Sequence, residues 1–349
     1  MIDYSALISD KARDIKPSGI RKFFDIVNTM EDAISLGVGE PDFQTPWQIR
    51  RAGIDSLQQG KTFYTSNWGL ADLRKAISDY AMENYHLEYD YHDEIIVTVG
   101  GSEAIDNALR SFVSDGDEVL IPEPSFVCYT PLAMMAGLAH ARQLCKADML
   151  LAAICQLAIN FIRDNNNIGV AQNRCDFLQI LPRHNGAGRI VRERHNQHLG
   201  FRRDRFFQRL LAPREMLKPL VKIHQFGIMS APTVSQFAGI EALRTGREDI
   251  KYMREQYDLR RRFMYYRLQE IGMPCFEPEG AFYIFPSIQK YMDDDEKFCD
   301  ELLRKKKVAV VPGSAFGESG RGHVRISYSY SMMHLETAME RIEEFVQEL

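Results

Sequence analysis

A short β-branched run that ends in glycine and leads straight into a helical pattern is the feature that most restricts how this chain can fold. The run is Glu94-Ile-Ile-Val-Thr-Val-Gly100, and Gly101-Ser-Glu-Ala-Ile-Asp-Asn-Ala-Leu109 then takes up a helical rhythm. A strand, a glycine turn and a helix start present unpaired backbone N–H groups and the positive end of the helix dipole to an anion. The sequence therefore predicts an α/β unit with an anion-binding turn; a small-residue helix cap without a ligand is the alternative.

Several further motifs lie on either side of this unit. Each has an ordinary interpretation by itself: a turn, a partly buried loop aromatic, a core aromatic, or a solvated arginine on a strand. In chain order they are Leu36-Gly-Val-Gly-Glu-Pro-Asp-Phe43, Tyr64-Thr-Ser-Asn-Trp-Gly69, Glu123-Pro-Ser-Phe126, Val310-Val-Pro-Gly-Ser-Ala-Phe-Gly317 and His323-Val-Arg-Ile-Ser-Tyr-Ser329. Together, and in this order, they resemble the class I aminotransferases that depend on pyridoxal 5′-phosphate (PLP), of the aspartate and aromatic type. The resemblance covers Met1 to Gly137 and Ala212 to Leu349.

The resemblance implies a fold and a domain division. The fold class is α/β, a fold-type I PLP-dependent transferase whose large domain has a mostly parallel sheet, with a small α+β domain beside it. Residues 46–245 would form the large PLP-binding domain and 246–271 a connecting helix. Residues 1–45 and 272–349 would form the small domain, in which Gly280 to Phe285 is expected to be a strand and Leu335 to Leu349 a closing amphipathic helix.

The resemblance also assigns residues to a substrate, which would be a small-molecule amino acid and a 2-oxo acid. Gly39 would lie against the substrate carboxylate, where a side chain would obstruct it. Arg325 would bind that carboxylate, because a guanidinium makes two parallel hydrogen bonds that fix orientation as well as charge.

For the cofactor, PLP, the family's pattern points to five residues. Gly101, Ser102 and Glu103 fall at the phosphate-binding turn. Phe126 would stack on the pyridine ring and limit its contact with water. Tyr64 would reach across the interface of a homodimer to the cofactor phosphate of the neighbouring subunit.

The central segment, about residues 138–211, departs from the family and matches it as antisense. When the codons from Arg192 back to Ala187 are reversed and complemented, they can encode Pro-Asn-Asn-Pro-Thr-Gly. The codons from Arg163 back to Ala152 can likewise encode Ser-Asp-Glu-Ile-Tyr-Ser-Glu-Leu-Thr-Tyr-Gly-Gly. Both strings are family hallmarks in the family's order. We hypothesise that the coding DNA here is inverted; a chance match, helped by codon degeneracy, is the alternative.

This departure removes the groups that the family uses for catalysis, so the sequence assigns no catalytic residue. Ile162, Ile159 and Ile190 stand where reversal would restore the aspartate, tyrosine and asparagine that hold the cofactor ring, and their side chains cannot donate, accept or ionise. The motif of the Schiff-base lysine is found in neither reading direction. Lys218 and Lys222 are the nearest lysines in the forward sequence, and we interpret both as solvated residues of a helix.

Inversion also alters the folding pattern, because it converts apolar codons into polar ones. The polar runs Asp164 to Asn167 and His195 to His198 replace two strands of a sheet covered on both faces, and burying unpaired polar groups there is costly. Amphipathic helices keep their period when reversed. We therefore predict helices over Met149 to Ile162 and Phe201 to Leu211.

Composition excludes some classes of function. A formal net charge of -5 argues against a partner that is a nucleic acid or a membrane surface. We interpret the basic run Arg189 to Arg209 as a by-product of complemented codons. The six cysteines have no disulfide or metal-ligand spacing, so the chain is expected to be cytoplasmic and without a metal site.

Three functions remain open on these observations. By descent the chain is an amino-acid transaminase, with 2-oxoglutarate the expected acceptor, and it is impaired because the Schiff-base lysine is missing. A second interpretation is a pseudoenzyme that pairs, without catalysis, with an intact relative. The third is the unstable product of a rearranged gene.

Overall fold

The computed structural model describes residues 7–15, 30, 32–114, 117–137, 141–144, 200–204, 207–211 and 214–349. Helices in this part of the chain are α1 (Asp10–Asp14), α2 (Trp47–Gln58), α3 (Ala71–Tyr85), α4 (Gly100–Phe112), α5 (Tyr129–Met135), α6 (Arg214–Gly227), α7 (Thr233–Thr245), α8 (Arg247–Glu270), α9 (Asp295–Lys306) and α10 (Met332–Gln347). Two short 3₁₀ helices span Gly313–Phe316 and Glu318–Gly320.

The strands in the same residues are short and form four sheets. They are β1 (Ile34–Ser35), β2 (Ile95–Thr98), β3 (Val119–Pro122), β4 (Ala141–Leu144), β5 (Gly200–Asp204), β6 (Phe207–Leu211), β7 (Tyr283–Ile284), β8 (Val308–Ala309), β9 (Val311–Pro312) and β10 (Val324–Ser327). Parallel pairs join β1 to β8 and β3 to β4. The orders β2-β6-β5 and β7-β10-β9 are antiparallel.

Strand β2 is buried on both faces, and its alternating side chains belong to two different cores. Ile95 and Val97 pack with Leu73 of α3 and Ile240 of α7. Ile96, pointing the other way, packs with Leu217 and Leu220 of α6. A continuous apolar run such as Ile95-Ile96-Val97 is typical of a strand covered on both sides, so the sequence pattern and the helical layers agree.

The largest core lies in the C-terminal part and includes a residue from the N-terminal segment. Leu36, which directly follows β1, is buried with Leu268 of α8, Phe298 of α9, Ile326 of β10 and Phe345 of α10. The parallel pairing of β1 with β8, Ile34 opposite Val308, brings the two segments together. This contact is the one expected of a small domain built from both ends of the chain, whose boundaries stay a prediction.

The prediction of a helix over Phe201 to Leu211 is wrong. Those residues contribute β5 and β6, and β6 runs antiparallel to β2 with Leu211 opposite Ile95 and Gln208 opposite Thr98. The backbone N–H and C=O groups along the edge of β2 need partners when the strand is buried, and β6 provides them. The strand expected over Gly280 to Phe285 is confirmed only at Tyr283–Ile284, whereas the closing helix is confirmed as α10.

The other predictions for the central segment lie outside the described residues. These are the helix over Met149 to Ile162, the polar runs Asp164 to Asn167 and His195 to His198, and the substitutions Ile159, Ile162 and Ile190.

Candidate functional site

The predicted anion-binding turn forms at the junction of β2 and α4. Gly100 has φ +89°, in the left-handed region that glycine adopts without a steric penalty, and it turns the chain from strand into helix. The Thr98 hydroxyl donates to the Gly100 carbonyl at 3.1 Å. The N–H groups in the first turn of an α-helix have no partner within the helix. In α4, which has 13 residues, they include those of Gly101 and Ser102 and lie at the positive end of the helix dipole.

Glu103 lies in the same turn, but its carboxylate contacts the protein itself. It accepts from the Val99 backbone N–H, from Asn107 Nδ2 at 3.3 Å, and from Nδ1 of the fully buried His224 at 2.5 Å. These donors offset the negative charge beside the turn. Glu103 therefore uses its side chain to anchor the turn to α6, which leaves only its backbone N–H facing the start of the helix.

His224 is a residue that the sequence analysis missed. It lies on α6 seven residues after Leu217 and four after Leu220, and all three are buried. That spacing places them on one helix face, which is a signal for burial. Nothing in the spacing indicates that the partner is a glutamate on another helix.

Phe126 lies beside α4. Its ring meets that of Tyr129 edge-on at 5.9 Å between centroids, and it packs against the cluster that contains Ile105 and Leu109 of α4. The sequence predicts that Phe126 covers a cofactor ring. The fold places this side chain next to α4, the helix that begins at the turn.

Arg325 lies on β10 among aromatic side chains. Its Nη2 donates to the Gly37 carbonyl at 2.5 Å, and its guanidinium carbon lies 4.4 Å from the ring centroid of Tyr283 and 4.8 Å from that of Phe316. A guanidinium held between two aromatic faces is fixed in orientation, which a bidentate contact to a carboxylate requires.

Gly39 lies against the same tyrosine. A Cβ built on Gly39 would stand 1.5 Å from the Tyr283 hydroxyl oxygen, so that no side chain fits there without moving the ring. Gly39, Tyr283 and Arg325 therefore form one contact group, although the sequence links only the first and the last to a substrate.

A backbone hydrogen bond connects the two halves of the site. The Ser125 N–H donates to the Phe316 carbonyl at 3.2 Å. Ser125 precedes Phe126, which packs beside α4, and Phe316 lies against Arg325. The fold thus brings the predicted cofactor side and the predicted substrate side into one region.

Tyr64 is not part of this contact group in the single chain. Its side chain is 82 % exposed, and that of the adjacent Phe63 is 80 % exposed. The Thr233 hydroxyl of α7 donates to the Phe63 carbonyl at 2.7 Å, which holds the loop on the surface.

The two forward lysines are exposed. Lys218 and Lys222 both lie on α6 outside its buried face, as the interpretation of them as solvated residues expects. Within the described ranges, no group of three or more His, Cys, Asp or Glu side chains is arranged to hold a metal ion. No helix in those ranges is long and apolar enough to cross a membrane.

Comparison with known protein families matches the family model described as aminotransferase class I and II to residues 31–154 and 209–342. The match leaves 155–208 uncovered. The chain is 40 % identical to the putative aminotransferase YugH of Bacillus subtilis, covering 98 % of this chain and 99 % of the relative. It is 33 % identical to the aspartate aminotransferase of Pyrococcus abyssi, with 98 % of each covered.

Solved structures give the same result for the fold. The aromatic aminotransferase of Pyrococcus horikoshii OT3 superposes with a TM-score of 0.77 at 30 % identity, over 93 % of this chain and 99 % of that one. A structure described as Pyrococcus protein-A1 superposes with a TM-score of 0.81 at 31 % identity, over 97 % and 98 %. The expected fold class, the α/β fold of fold-type I PLP-dependent transferases, is confirmed.

Proposed function

Since this chain belongs to the class I and II aminotransferases, a PLP-dependent family, we propose that it binds PLP at the start of α4 but does not transaminate. The proposal that the chain binds PLP rests on one observation. The helix start suited to an anion and the fixed Arg325 lie in one region, linked through Ser125 and Phe316. When bound, PLP supplies an electron sink for chemistry at the α-carbon of an amino acid.

The residues at the start of α4 fit the phosphate of this cofactor. Gly101, Ser102 and Glu103 offer backbone N–H groups, and the exposed Ser102 adds a hydroxyl that can donate to a phosphate oxygen. Phe126 would cover the ring and restrict water there. Tyr64 would complete the phosphate site of the neighbouring subunit.

For the substrate we propose an amino acid and a 2-oxo acid, with 2-oxoglutarate as the acceptor. Arg325 would hold the α-carboxylate through two hydrogen bonds, and Gly39 would leave room for it. The aromatic rings of Tyr283 and Phe316 contact the guanidinium and restrict its movement.

The proposed lack of activity follows from the sequence of the central segment. Residues 138–211 contain one lysine, Lys146, and it stands in no Ser-Lys motif. The alignment with YugH spans 381 positions, more than the 349 residues of this chain, so the relative has residues with no counterpart here. Without a lysine to attach the cofactor and to move a proton at the α-carbon, the remaining residues can bind and orient but cannot turn over substrate.

Borohydride trapping tests this proposal. The purified chain is incubated with PLP, reduced, digested and analysed by mass spectrometry for pyridoxyl-lysine, while binding is followed by cofactor fluorescence. We expect saturable binding without a specifically labelled lysine. A Gly101→Asp variant, which places a carboxylate at the turn, should lose the binding; Gly60→Asp, in an open surface turn, should keep it. Stoichiometric labelling of one lysine would refute the proposed lack of activity.

A non-catalytic partner is a second candidate, favoured by the exposed aromatic pair Phe63 and Tyr64. Exposed adjacent aromatic side chains are typical of an interaction surface. We propose that this loop joins two copies of the chain in a homodimer, or one copy to an intact relative.

Light scattering after size exclusion tests the dimer. The wild type should have twice the chain mass, and a Phe63→Ser/Tyr64→Ser variant should be monomeric. Tyr266→Ser serves as the control, because Tyr266 is also an exposed aromatic but lies on α8. A monomeric wild type refutes the homodimer, and failure to co-purify with a co-expressed full-length relative refutes the mixed dimer.

The rearranged-gene interpretation makes a different prediction about folding. We propose that the chain folds, because the packed C-terminal core draws on both ends of the sequence. Thermal unfolding followed by circular dichroism should show a cooperative transition; its absence would favour the unstable product.

We propose a cytoplasmic location. Cys275 and Cys299 are free thiols, and Cys299 is fully buried, as expected in a reducing compartment. Recovery of the protein in a periplasmic or secreted fraction of its host would refute this location.

A further inference from the structure

The buried pair of His224 and Glu103 connects two helices that lie far apart in sequence. His224 Nδ1 lies 2.5 Å from Glu103 Oε1, across 121 residues of chain. The second carboxylate oxygen, Oε2, accepts from the Val99 backbone N–H, directly before the Gly100 turn. The hydrogen-bonded path therefore leads from α6, through one carboxylate, to the residue at which β2 passes into the anion-binding turn.

The direction of these hydrogen bonds follows from the donors around Glu103. Val99 N and Asn107 Nδ2 can only donate, so the carboxylate accepts from both, and an ionised carboxylate accepts from Nδ1–H of His224 as well. Among the described residues, nothing forms a hydrogen bond with His224 Nε2, which is also buried. Within the described residues, Glu103 is therefore the hydrogen-bond partner of the imidazole, through Nδ1.

A carboxylate in the first turn of a phosphate site needs such a partner. Its charge would repel a phosphate that binds to the neighbouring N–H groups, and the repulsion is strong where little water is present. Sharing its oxygens among three donors fixes the carboxylate in place and draws its negative charge away from the turn. If His224 were absent, the carboxylate would be free to turn towards the anion and would release Val99.

We propose that His224 is a positioning residue for the cofactor phosphate, acting through Glu103 on the Val99–Ser102 turn. The proposal rests on the proposed function, because it takes the turn as the site of the PLP phosphate. It adds a contribution from α6, which follows residues 138–211 in the sequence, to a site on α4. His224 itself touches neither cofactor nor substrate in this scheme.

Two ligands that differ only in the phosphate separate this role from a general structural one. Pyridoxamine 5′-phosphate and pyridoxamine are titrated into the full-length protein and followed by fluorescence, and neither requires a lysine. His224→Leu should weaken the binding of pyridoxamine 5′-phosphate about tenfold, because Glu103 loses the charge-assisted hydrogen bond that fixes it beside the turn, and should leave pyridoxamine binding unchanged. His224→Asn should retain most of the affinity, because the Asn amide nitrogen can take the place of Nδ1.

Val221→Ala is the matched control, because Val221 packs in the same α4–α6 contact but makes no hydrogen bond to Glu103. It should change the affinity for both ligands equally or not at all. If His224→Leu does not fold, His224→Gln provides the second test, since its longer side chain carries the amide group past the position of Nδ1, and it should also lose affinity only for the phosphorylated ligand.

The failures are distinguishable. A wild type that does not bind pyridoxamine 5′-phosphate overturns the proposed function and this inference with it. A wild type that binds, with variants that lose affinity for both ligands equally or for neither, overturns the role of His224 alone.

Discussion

Arg260 of α8 holds Asp42 of the Gly39–Phe43 loop through two parallel hydrogen bonds. Its Nη1 and Nη2 donate to Oδ1 and Oδ2 at 2.7 and 2.9 Å, and the guanidinium also lies 4.9 Å from the ring centroid of Phe43. The Asp42 N–H donates to the Ser329 carbonyl at 3.0 Å. The loop that carries Gly39 is thereby fixed between the long helix and the segment that follows β10.

Asp42→Ala should lower the free energy of unfolding by about 2 to 3 kcal/mol, because it leaves the Arg260 guanidinium unpaired where its side chain is 7 % exposed. Urea titration followed by circular dichroism measures the change. Arg262→Ala is the control: its ion pair with Asp258 is also formed at 2.7 Å, but the arginine is 61 % exposed, and the change should stay within about 0.5 kcal/mol. Equal effects in the two variants would show that the Arg260 pair does not stabilise the loop.

Gly39→Ala should destabilise the protein by about 2 kcal/mol, because the new methyl group would overlap the Tyr283 hydroxyl and force the ring away from Arg325. In a Tyr283→Ala background the same substitution should cost much less, since the obstruction is gone. Unfolding titrations on the four proteins of this double-mutant cycle give the coupling. Strict additivity would mean that Gly39 and Tyr283 are not in contact.

The strand–turn–helix unit of β2 and α4 is predictable because its signal is local. The β-branched run, the glycine and the helical rhythm follow one another within Glu94 to Leu109, and each matches the structure formed there. The contact between His224 and Glu103 is not predictable in this way, since it joins residues 121 positions apart and the helix pattern marks His224 only as buried.

The error at Phe201 to Leu211 has a related cause. Strands β5 and β6 have five residues each, which is too short for the strand period of 2 to be distinguished from the helix period of 3.6. A partner strand then decides which structure forms. That partner is β2, whose edge pairs with β6 through backbone hydrogen bonds that no side-chain pattern encodes. For Phe126 the sequence points to a ring-covering role, and the fold places the side chain against Ile105, Leu109 and Tyr129, beside the helix that begins at the turn.

Cys275 should resist alkylation until the solution is strongly alkaline. Burial raises the pKa of its thiol from the ordinary value of 9.0 to about 11, and the hydrogen bond from Gln269 lowers it only in part. The thiolate is the reactive form, so below pH 9 its labelling by iodoacetamide should be about a hundredfold slower than that of an ordinary exposed thiol. Peptide mass spectrometry across pH 7 to 11 measures the rate. A rate that levels off near pH 9 would contradict the raised pKa.

The raised pKa of Cys275 also makes the stability of the protein depend on pH. The folded pKa lies above the unfolded one, so this thiol contributes stability that is fully present below pH 9 and is lost as the pH rises towards about 11. Cys275→Ala should remove that part of the alkaline loss. Cys299→Ala does not serve as a neutral reference, because Cys299 is fully buried in the C-terminal core and burial also raises its pKa.

The nucleotide sequence across codons 138 to 211 tests the inversion directly. The hypothesis requires specific codons: Ile190 must be ATT and Val191 must be GTT, whose reverse complements AAT and AAC encode asparagine, and Ile162 must be ATC, whose reverse complement GAT encodes aspartate. Each of these residues can also be encoded by other synonymous codons. The protein sequence therefore does not dictate the codons that the hypothesis requires along the segment. Inverting the DNA of the segment should also recover aspartate, tyrosine and asparagine codons from the complements of the present codons 162, 159 and 190. Triplets whose complements do not encode those residues would leave the departure of this segment from the family without an inverted origin.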